Sequence, residues 1–396
     1  MAAISRTGNA RRQREFVLEM FSISSQLSGM NAYTPARQSD ALPEPFRPAG
    51  RGAKSNASGR FERTTAEPVD DGWHNEAPPR QIRTSLVRDA ARSIITTNDS
   101  PDISFDQSVN PYRGCEHGCI YCFARPTHAY WGYSAGLDFE SVIFFKPGAA
   151  ELLRKAFSKR GYTPKVIALG SNTDPYQPVE RDLRITRTIL ETCLAFRHPI
   201  SIITKSAGVL RDIDLLRELA ALGLAHVAIS VTTLDAKLAR TMEPRASTPT
   251  RRLSAITALS EAGVPVSIFT SPMIPGLNDH ELENLLSAGA KSGASHASYV
   301  LLRLPLEVEP LFRQWLAAER PLSAKKIMGL IESTRGGKAY DSRFHARMKG
   351  EGPVAELIRA RFERACRANA LSRKVPALRT DIFTVPEKEN GQLSLF

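Results

Sequence analysis

The sequence predicts an α/β fold, a partial (β/α)6 TIM-like barrel with a disordered N-terminal extension and a helical, basic C-terminal extension. Two observations carry this. From Ile103 onward short β-branched runs alternate with longer amphipathic stretches, the pattern of strand–helix units around a parallel sheet. The polar and cysteine-rich segments also follow the strands, where such barrels place their reacting groups. The expected divisions are 1–79 for the mostly disordered or loosely wrapped extension, 80–305 for the barrel, 306–374 for the helical extension and 375–396 for a flexible tail.

The elements follow in order. Strands are expected at Ile103–Val109, Val166–Leu169, Ile200–Thr204, His226–Val231, Val264–Thr270 and Ser298–Leu302. Helices fit between them at Gly148–Lys159, Arg181–Phe196, Val209–Leu222, Pro249–Ala262 and His280–Lys291. The Pro, Gly, Ser, Asn and Arg content up to Pro79 supports no sustained apolar period, so no active site is expected there. No apolar run is long enough for a bilayer and no secretory leader is recognisable at the N-terminus, which places the chain in the cytoplasm with no membrane role. The net charge of +12 favours a polyanionic partner without naming one, and nucleic acid is one candidate. Arg359, Arg361, Arg364 and Arg367 add a basic helix that is either a phosphate-binding or a solvated face.

Five cysteines make an odd set for disulfides, and Cys115, Cys119 and Cys122 fall within eight residues, the arrangement of a metal site. The Cys-x3-Cys-x2-Cys spacing leaves one iron of a four-iron cubane without a protein thiolate. A ligand carrying an amine and a carboxylate, such as S-adenosylmethionine (SAM), can chelate that open iron, where one electron cleaves its carbon–sulfur bond. Two other readings remain: a structural zinc site with His117 or His128 as fourth ligand, and a closed cluster completed by Cys193 or Cys366. Both of those cysteines lie among apolar residues of helical pattern and read as core.

The segment Asn110-Pro111-Tyr112-Arg113-Gly114-Cys115-Glu116-His117-Gly118-Cys119-Ile120-Tyr121-Cys122 resembles the cluster loop of the radical SAM superfamily. More narrowly it resembles the branch related to spore photoproduct lyase, often labelled DNA repair photolyase, over roughly Ile103–Pro305. The resemblance implies a [4Fe–4S] cluster on the three cysteines, SAM as cofactor, a 5′-deoxyadenosyl radical and a flavodoxin- or ferredoxin-type electron donor. It places Tyr121 near the adenine. Asn172, Thr173 and Asp174 become candidates for the methionyl amine, and Lys205 and Ser230 for the SAM carboxylate and ribose. Glu243-Pro244-Arg245 and Pro272–Asn278 also resemble family segments, the second lying where adenine is cradled.

One position departs from the family. Where spore photoproduct lyase carries a cysteine that returns a hydrogen atom to the product, this chain has Ser171, a poor hydrogen-atom donor, so repair of that lesion is not expected. The substrate is read as DNA or something attached to DNA. The alternatives are a radical SAM enzyme acting on a protein or small molecule, and an iron–sulfur binding or sensing module. The terminal Gln392-Leu393-Ser394-Leu395-Phe396 resembles the motif by which replication and repair proteins dock on the bacterial DNA sliding clamp, which would make that clamp a partner.

Overall fold

Val, Ile and Ala fill the strand positions that are buried on both faces, and this composition gives a parallel sheet covered by helices. The computed structural model describes residues 50–62, 82–375 and 377–386, and the structural statements below concern these residues alone. Ten strands are assigned: β1 Ser85–Arg88, β2 Ile95–Thr97, β3 Gln107–Val109, β4 Tyr112–Arg113, β5 Val142–Phe145, β6 Ile167–Leu169, β7 Ile200–Thr204, β8 Ala225–Ser230, β9 Val266–Met273 and β10 His296–Leu301.

The larger sheet has seven strands in the order β10-β9-β8-β7-β6-β3-β2. Each neighbouring pair from β3 to β10 is parallel, with registers such as Val109 opposite Leu169 and Ile202 opposite Val227. These are the six expected strands, in an open partial barrel. β2 adds an antiparallel edge. A smaller sheet, β1-β5-β4, lies beside the barrel and is not evident in the sequence, because two of its strands have only four residues each and lack a clear period.

Helices Ala149–Phe157, Ile213–Ala221, Pro249–Glu261 and Leu282–Lys291 occupy expected places. The stretch expected as one helix from Arg181 to Phe196 is divided into Glu180–Leu183 and Ile185–Ala195, because Arg184 adopts φ 50°, outside helical geometry. Helix Ala236–Met242 is additional. Asp235 caps it by accepting from the backbone N–H groups of Lys237 and Leu238. Helices Val308–Glu319, Ala324–Ser333, Ala346–Lys349 and Gly352–Ala368 form the C-terminal extension, as expected. The last of them docks on Leu282–Lys291 through Arg361, whose guanidinium donates to Glu283 and to the Asp279 carbonyl. Arg361 is therefore committed to packing, while Arg359, Arg364 and Arg367 stay exposed.

Within the N-terminal extension, residues 50–62 wrap onto the barrel. The clamp-like motif at Gln392–Phe396 lies outside the described residues. No described helix is long and apolar enough to cross a membrane.

Candidate active site

The loop after β4 carries the three cysteines and is bound from both sides by groups that follow other strands. Cys115 accepts from the Asp174 backbone N–H, beyond the carboxyl end of β6, and Cys122 accepts from the N–H of Ala124. None of the three is in a disulfide. Burial raises all three thiols above their ordinary pKa, and for Cys115 the nearby Asp174 carboxylate adds to the effect. Ligation to iron would relieve this by stabilising the thiolates.

Gly170, at the end of β6, lets the loop that carries Asp174 turn tightly against β7. It has φ 89°, and a Cβ there would stand 2.2 Å from the Ile203 carbonyl oxygen. The next residues divide into two kinds. Asp174 is saturated: one oxygen accepts from Thr204 Oγ1 at 2.7 Å and the Tyr176 N–H at 2.9 Å, while the other accepts from the Lys205 N–H at 2.7 Å and faces His117 Nδ1 at 3.3 Å. Burial opposes its charge, but His117 and these hydrogen bonds prevail and hold the carboxyl at about 2. Thr173 turns its hydroxyl onto the Tyr112 carbonyl at 2.9 Å. Asn172, by contrast, uses only its backbone N–H, on Asn110 Oδ1 at 3.1 Å, and its carboxamide has no partner among the described residues. Of the three expected contacts for the SAM amine, Asn172 is the one with free hydrogen-bonding capacity.

Lys205 and Ser230 are brought together. Lys205 Nζ donates to Ser230 Oγ at 2.6 Å and to the Ser271 carbonyl at 3.1 Å, and it lies 5.8 Å from the centre of the Tyr121 ring. Burial lowers Lys205 to about 8, although the cysteines and Asp174 pull the other way. Tyr121 is buried, with its hydroxyl donating to Glu243 and 3.4 Å from Thr232 Oγ1.

Glu243 stands out in the sequence only as part of a segment, yet it organises the floor of the site. It accepts from Tyr121, from Thr232 Oγ1 at 2.6 Å and from buried Arg252, and lies 3.8 Å from Lys205 Nζ. Glu116 and Gln177 are further members. Gln177 accepts from the Glu116 N–H at 2.8 Å, while the Glu116 carboxylate accepts from the Val179 N–H at 2.7 Å and pairs with Arg245 at 2.9 Å. These partners come from distant loops, so no local pattern announces them. The Pro272–Asn278 turn is closed by Asn278, whose amide donates to the Thr232 and Pro272 carbonyls.

Behind the cysteines, Arg125 and Glu140 form a fully buried ion pair. Arg125 also donates to the carbonyls of Cys119, Ala135 and Gly136. Glu140 accepts from the backbone N–H groups of Gly52 and Ala53 at 2.9 and 2.8 Å. The Gly52 backbone passes so close to the cysteine loop that a Cβ there would lie 1.9 Å from the Gly118 carbonyl oxygen. Part of the N-terminal extension is thus built into the support of the site.

The donor set suits an iron–sulfur group: three free thiols on one loop, with backbone N–H donors at two of them. A structural zinc site would need a fourth ligand beside the three thiolates. The two histidines considered for such a site are engaged elsewhere, His117 with Asp174 and His128 Nε2 with the Val142 carbonyl at 3.0 Å. Cys193 and Cys366 are buried in the main apolar core, and burial pushes them up to about 12 and about 11.

Comparison with known proteins agrees with this geometry. Residues 109–288 match the family described as the Radical SAM superfamily. An uncharacterized protein of Mycobacterium tuberculosis (strain ATCC 25618 / H37Rv) is 36% identical over 271 residues, covering 64% of this chain and 78% of that protein. One from Methanocaldococcus jannaschii is 31% identical over 196 residues, covering 50% and 70%. Among solved structures, spore photoproduct lyase complexed with dinucleoside spore photoproduct is similar with a TM-score of 0.53 at 16% identity, over 73% of this chain and 81% of that one. A doubly substituted mutant of that lyase, with bound AdoMet and dinucleoside spore photoproduct, gives a TM-score of 0.52 at the same identity and coverage. At this identity the likeness is one of fold.

Proposed function

The chain belongs to the radical SAM superfamily, and we propose that Cys115, Cys119 and Cys122 hold a [4Fe–4S] cluster with which it cleaves SAM reductively and acts on DNA, or at DNA, in the cytoplasm. The observation that carries the reading is the meeting of three free thiols with Asn172, Lys205 and Ser230 at the carboxyl ends of parallel strands. When bound, the cluster and SAM supply one-electron cleavage of a carbon–sulfur bond and a 5′-deoxyadenosyl radical.

The protein's own groups have separable duties in this reading. The three thiolates hold the metal group, and the Asp174 and Ala124 N–H groups stabilise Cys115 and Cys122. Asn172 offers its free carboxamide to the methionyl amine. Lys205 presents a cation, steadied by Ser230 and Ser271, to the carboxylate, and Ser230 is the proposed ribose contact. Tyr121, fixed through Glu243, gives the adenine an aromatic wall. A flavodoxin- or ferredoxin-type protein is the proposed electron donor. Anaerobic reconstitution with iron, sulfide and reductant should yield 5′-deoxyadenosine from SAM; a fully loaded protein that releases none would refute the proposal.

Ser171 bears on the substrate. It follows Gly170 at the rim of the barrel, and its hydroxyl has no partner among the described residues, while Cys193 and Cys366 are committed to the core. With no thiol besides the three loop cysteines near the site among the described residues, the protein is expected not to turn over spore photoproduct efficiently. Supplying that lesion in a reaction monitored for both repair and 5′-deoxyadenosine checks this; repair at a rate matching SAM cleavage would contradict it.

The tail supports action at DNA. Gln392–Phe396 resembles a clamp-docking motif, and binding through it would deliver the barrel to DNA by tethering. Purified clamp is expected to bind the full chain and not a form ending at Gly391. Equal binding to both, or to neither, would remove this partner and leave the cluster chemistry intact.

A further inference from the structure

Beyond β10 the chain places two arginines in one apolar setting. Arg303 follows the strand by two residues and leans over Phe123, the residue after Cys122, with its guanidinium carbon 4.8 Å from the ring centre. Arg335 comes from the C-terminal extension, just past helix Ala324–Ser333, and is buried, donating to the carbonyls of Leu302 and Ala346. The Nε of each arginine is buried with no hydrogen-bond partner among the described residues.

Neither guanidinium has a carboxylate within ion-pair distance among the described residues, and the acids nearby are held by other arginines. Asp341 and Glu351 bond Arg343, and Asp102 bonds Arg347. What Arg303 does contact is weak or neutral: Nη1 reaches Met348 Sδ at 3.3 Å, and the Tyr340 hydroxyl accepts a further bond. Burial lowers the pKa of both, helped by the charge of Arg347 at Arg303 and by that of Arg303 at Arg335. Two adjacent arginines whose Nε atoms are buried, and which have no contacting carboxylate among the described residues, are costly unless an anion completes them.

The position says which anion. Arg303 stands at the carboxyl end of the last parallel strand, beside the half-exposed Phe123 ring that directly follows the third cysteine, so a group bound there lies in the substrate's part of the pocket. We propose that Arg303, with the charge of Arg335 behind it, binds a phosphate oxyanion of the substrate. The C-terminal extension thereby becomes part of substrate recognition, and the substrate class is phosphate-bearing. A planar fork of N–H donors suits a phosphate, and the pair of positive charges suits it better than a single carboxylate. The half-exposed Phe123 ring offers an adjoining apolar contact for a base on the side Arg303 does not cover. This assignment rests on the proposed function for the identity of the pocket, but its test does not depend on SAM turnover.

The test is calorimetric titration of the full chain, at low ionic strength in chloride, with three probes: inorganic phosphate, the dinucleotide thymidylyl-thymidine, and its uncharged methylphosphonate analogue. The wild-type chain is expected to bind at least one phosphate probe, and Arg303→Gln to weaken that binding by about tenfold or more, as loss of a charged hydrogen-bond partner does. Arg303→Lys, which keeps the charge and loses the fork, should fall between them, and it stands as the decisive variant if Arg303→Gln fails to fold. Tighter binding of the dinucleotide than of free phosphate assigns the subsite to a nucleic-acid backbone; the reverse assigns it to a free phosphate or monoester. Wild-type affinity in both variants, no binding of either phosphate probe, or equal binding of the methylphosphonate overturns the proposal. Phosphate binding without 5′-deoxyadenosine formation would instead indict the proposed radical chemistry and leave this subsite standing.

Discussion

Cys119→Ala is expected to abolish release of 5′-deoxyadenosine from SAM, with the same outcome for Cys115→Ala and Cys122→Ala. In the proposed site the three thiolates jointly hold the cluster, and the loop that carries them offers no replacement. His117 is held by Asp174 and His128 by the Val142 carbonyl, within a cage of Tyr133, Phe139 and Phe144. Cys193 and Cys366 belong to the packed core and cannot reach the loop without unfolding it. Their Ala variants should retain cluster absorbance and SAM cleavage, and lose only packing, about 1 kcal/mol or somewhat more for a small buried side chain. Iron and sulfide analysis of the reconstituted variants, alongside chromatographic detection of 5′-deoxyadenosine, separates these cases. Full activity in Cys119→Ala, or loss of the cluster in Cys193→Ala, would reassign the ligands.

The second large effect is expected at Glu140, which touches no substrate. Its carboxylate neutralises Arg125, which is fully buried, and receives the N–H groups of Gly52 and Ala53. Glu140→Ala leaves the guanidinium as an uncompensated buried charge, a loss of roughly 3–5 kcal/mol. It also removes the acceptor that ties the Gly52 and Ala53 N–H groups beside the cysteine loop. Denaturant unfolding should show this loss, together with weaker retention of iron. Replacing both partners by apolar residues, as in Arg125→Met with Glu140→Leu, should recover part of the stability, since the unpaired charge is what costs most. The Cys119, Ala135 and Gly136 carbonyls would still lack their donor, so recovery should be incomplete. A change below about 1 kcal/mol in Glu140→Ala would place the pair among weakly contributing exposed ones.

The order and parallel pairing of the barrel strands were legible in the sequence by itself. Runs such as Ile200–Thr204 and Val166–Leu169 are too short and apolar to be surface helices, and they recur between amphipathic segments. The cysteine loop was legible for the same reason: its chemistry is compressed into eight residues, and spacing on one short loop is a local property. Lys205 and Ser230 could be named because they match positions of the resembled family after and at the end of predicted strands, although their direct bond joins residues from two strands.

Tertiary structure alone decided the support of that loop. Glu243 meets Tyr121, Arg125 meets Glu140, and Gly52 meets Gly118 across separations that carry no period in the chain. It also decided that Asp174 is spent on four neighbours while Asn172 stays free, a distinction invisible among the consecutive polar residues Asn172-Thr173-Asp174. The β1-β5-β4 sheet and the Arg303–Arg335 pair are of the same kind. Periodicity and spacing record what a residue does with its near neighbours along the chain. Burial and the competition of donors for acceptors depend on which distant segments pack together, and these fix what each polar group has left to offer a ligand.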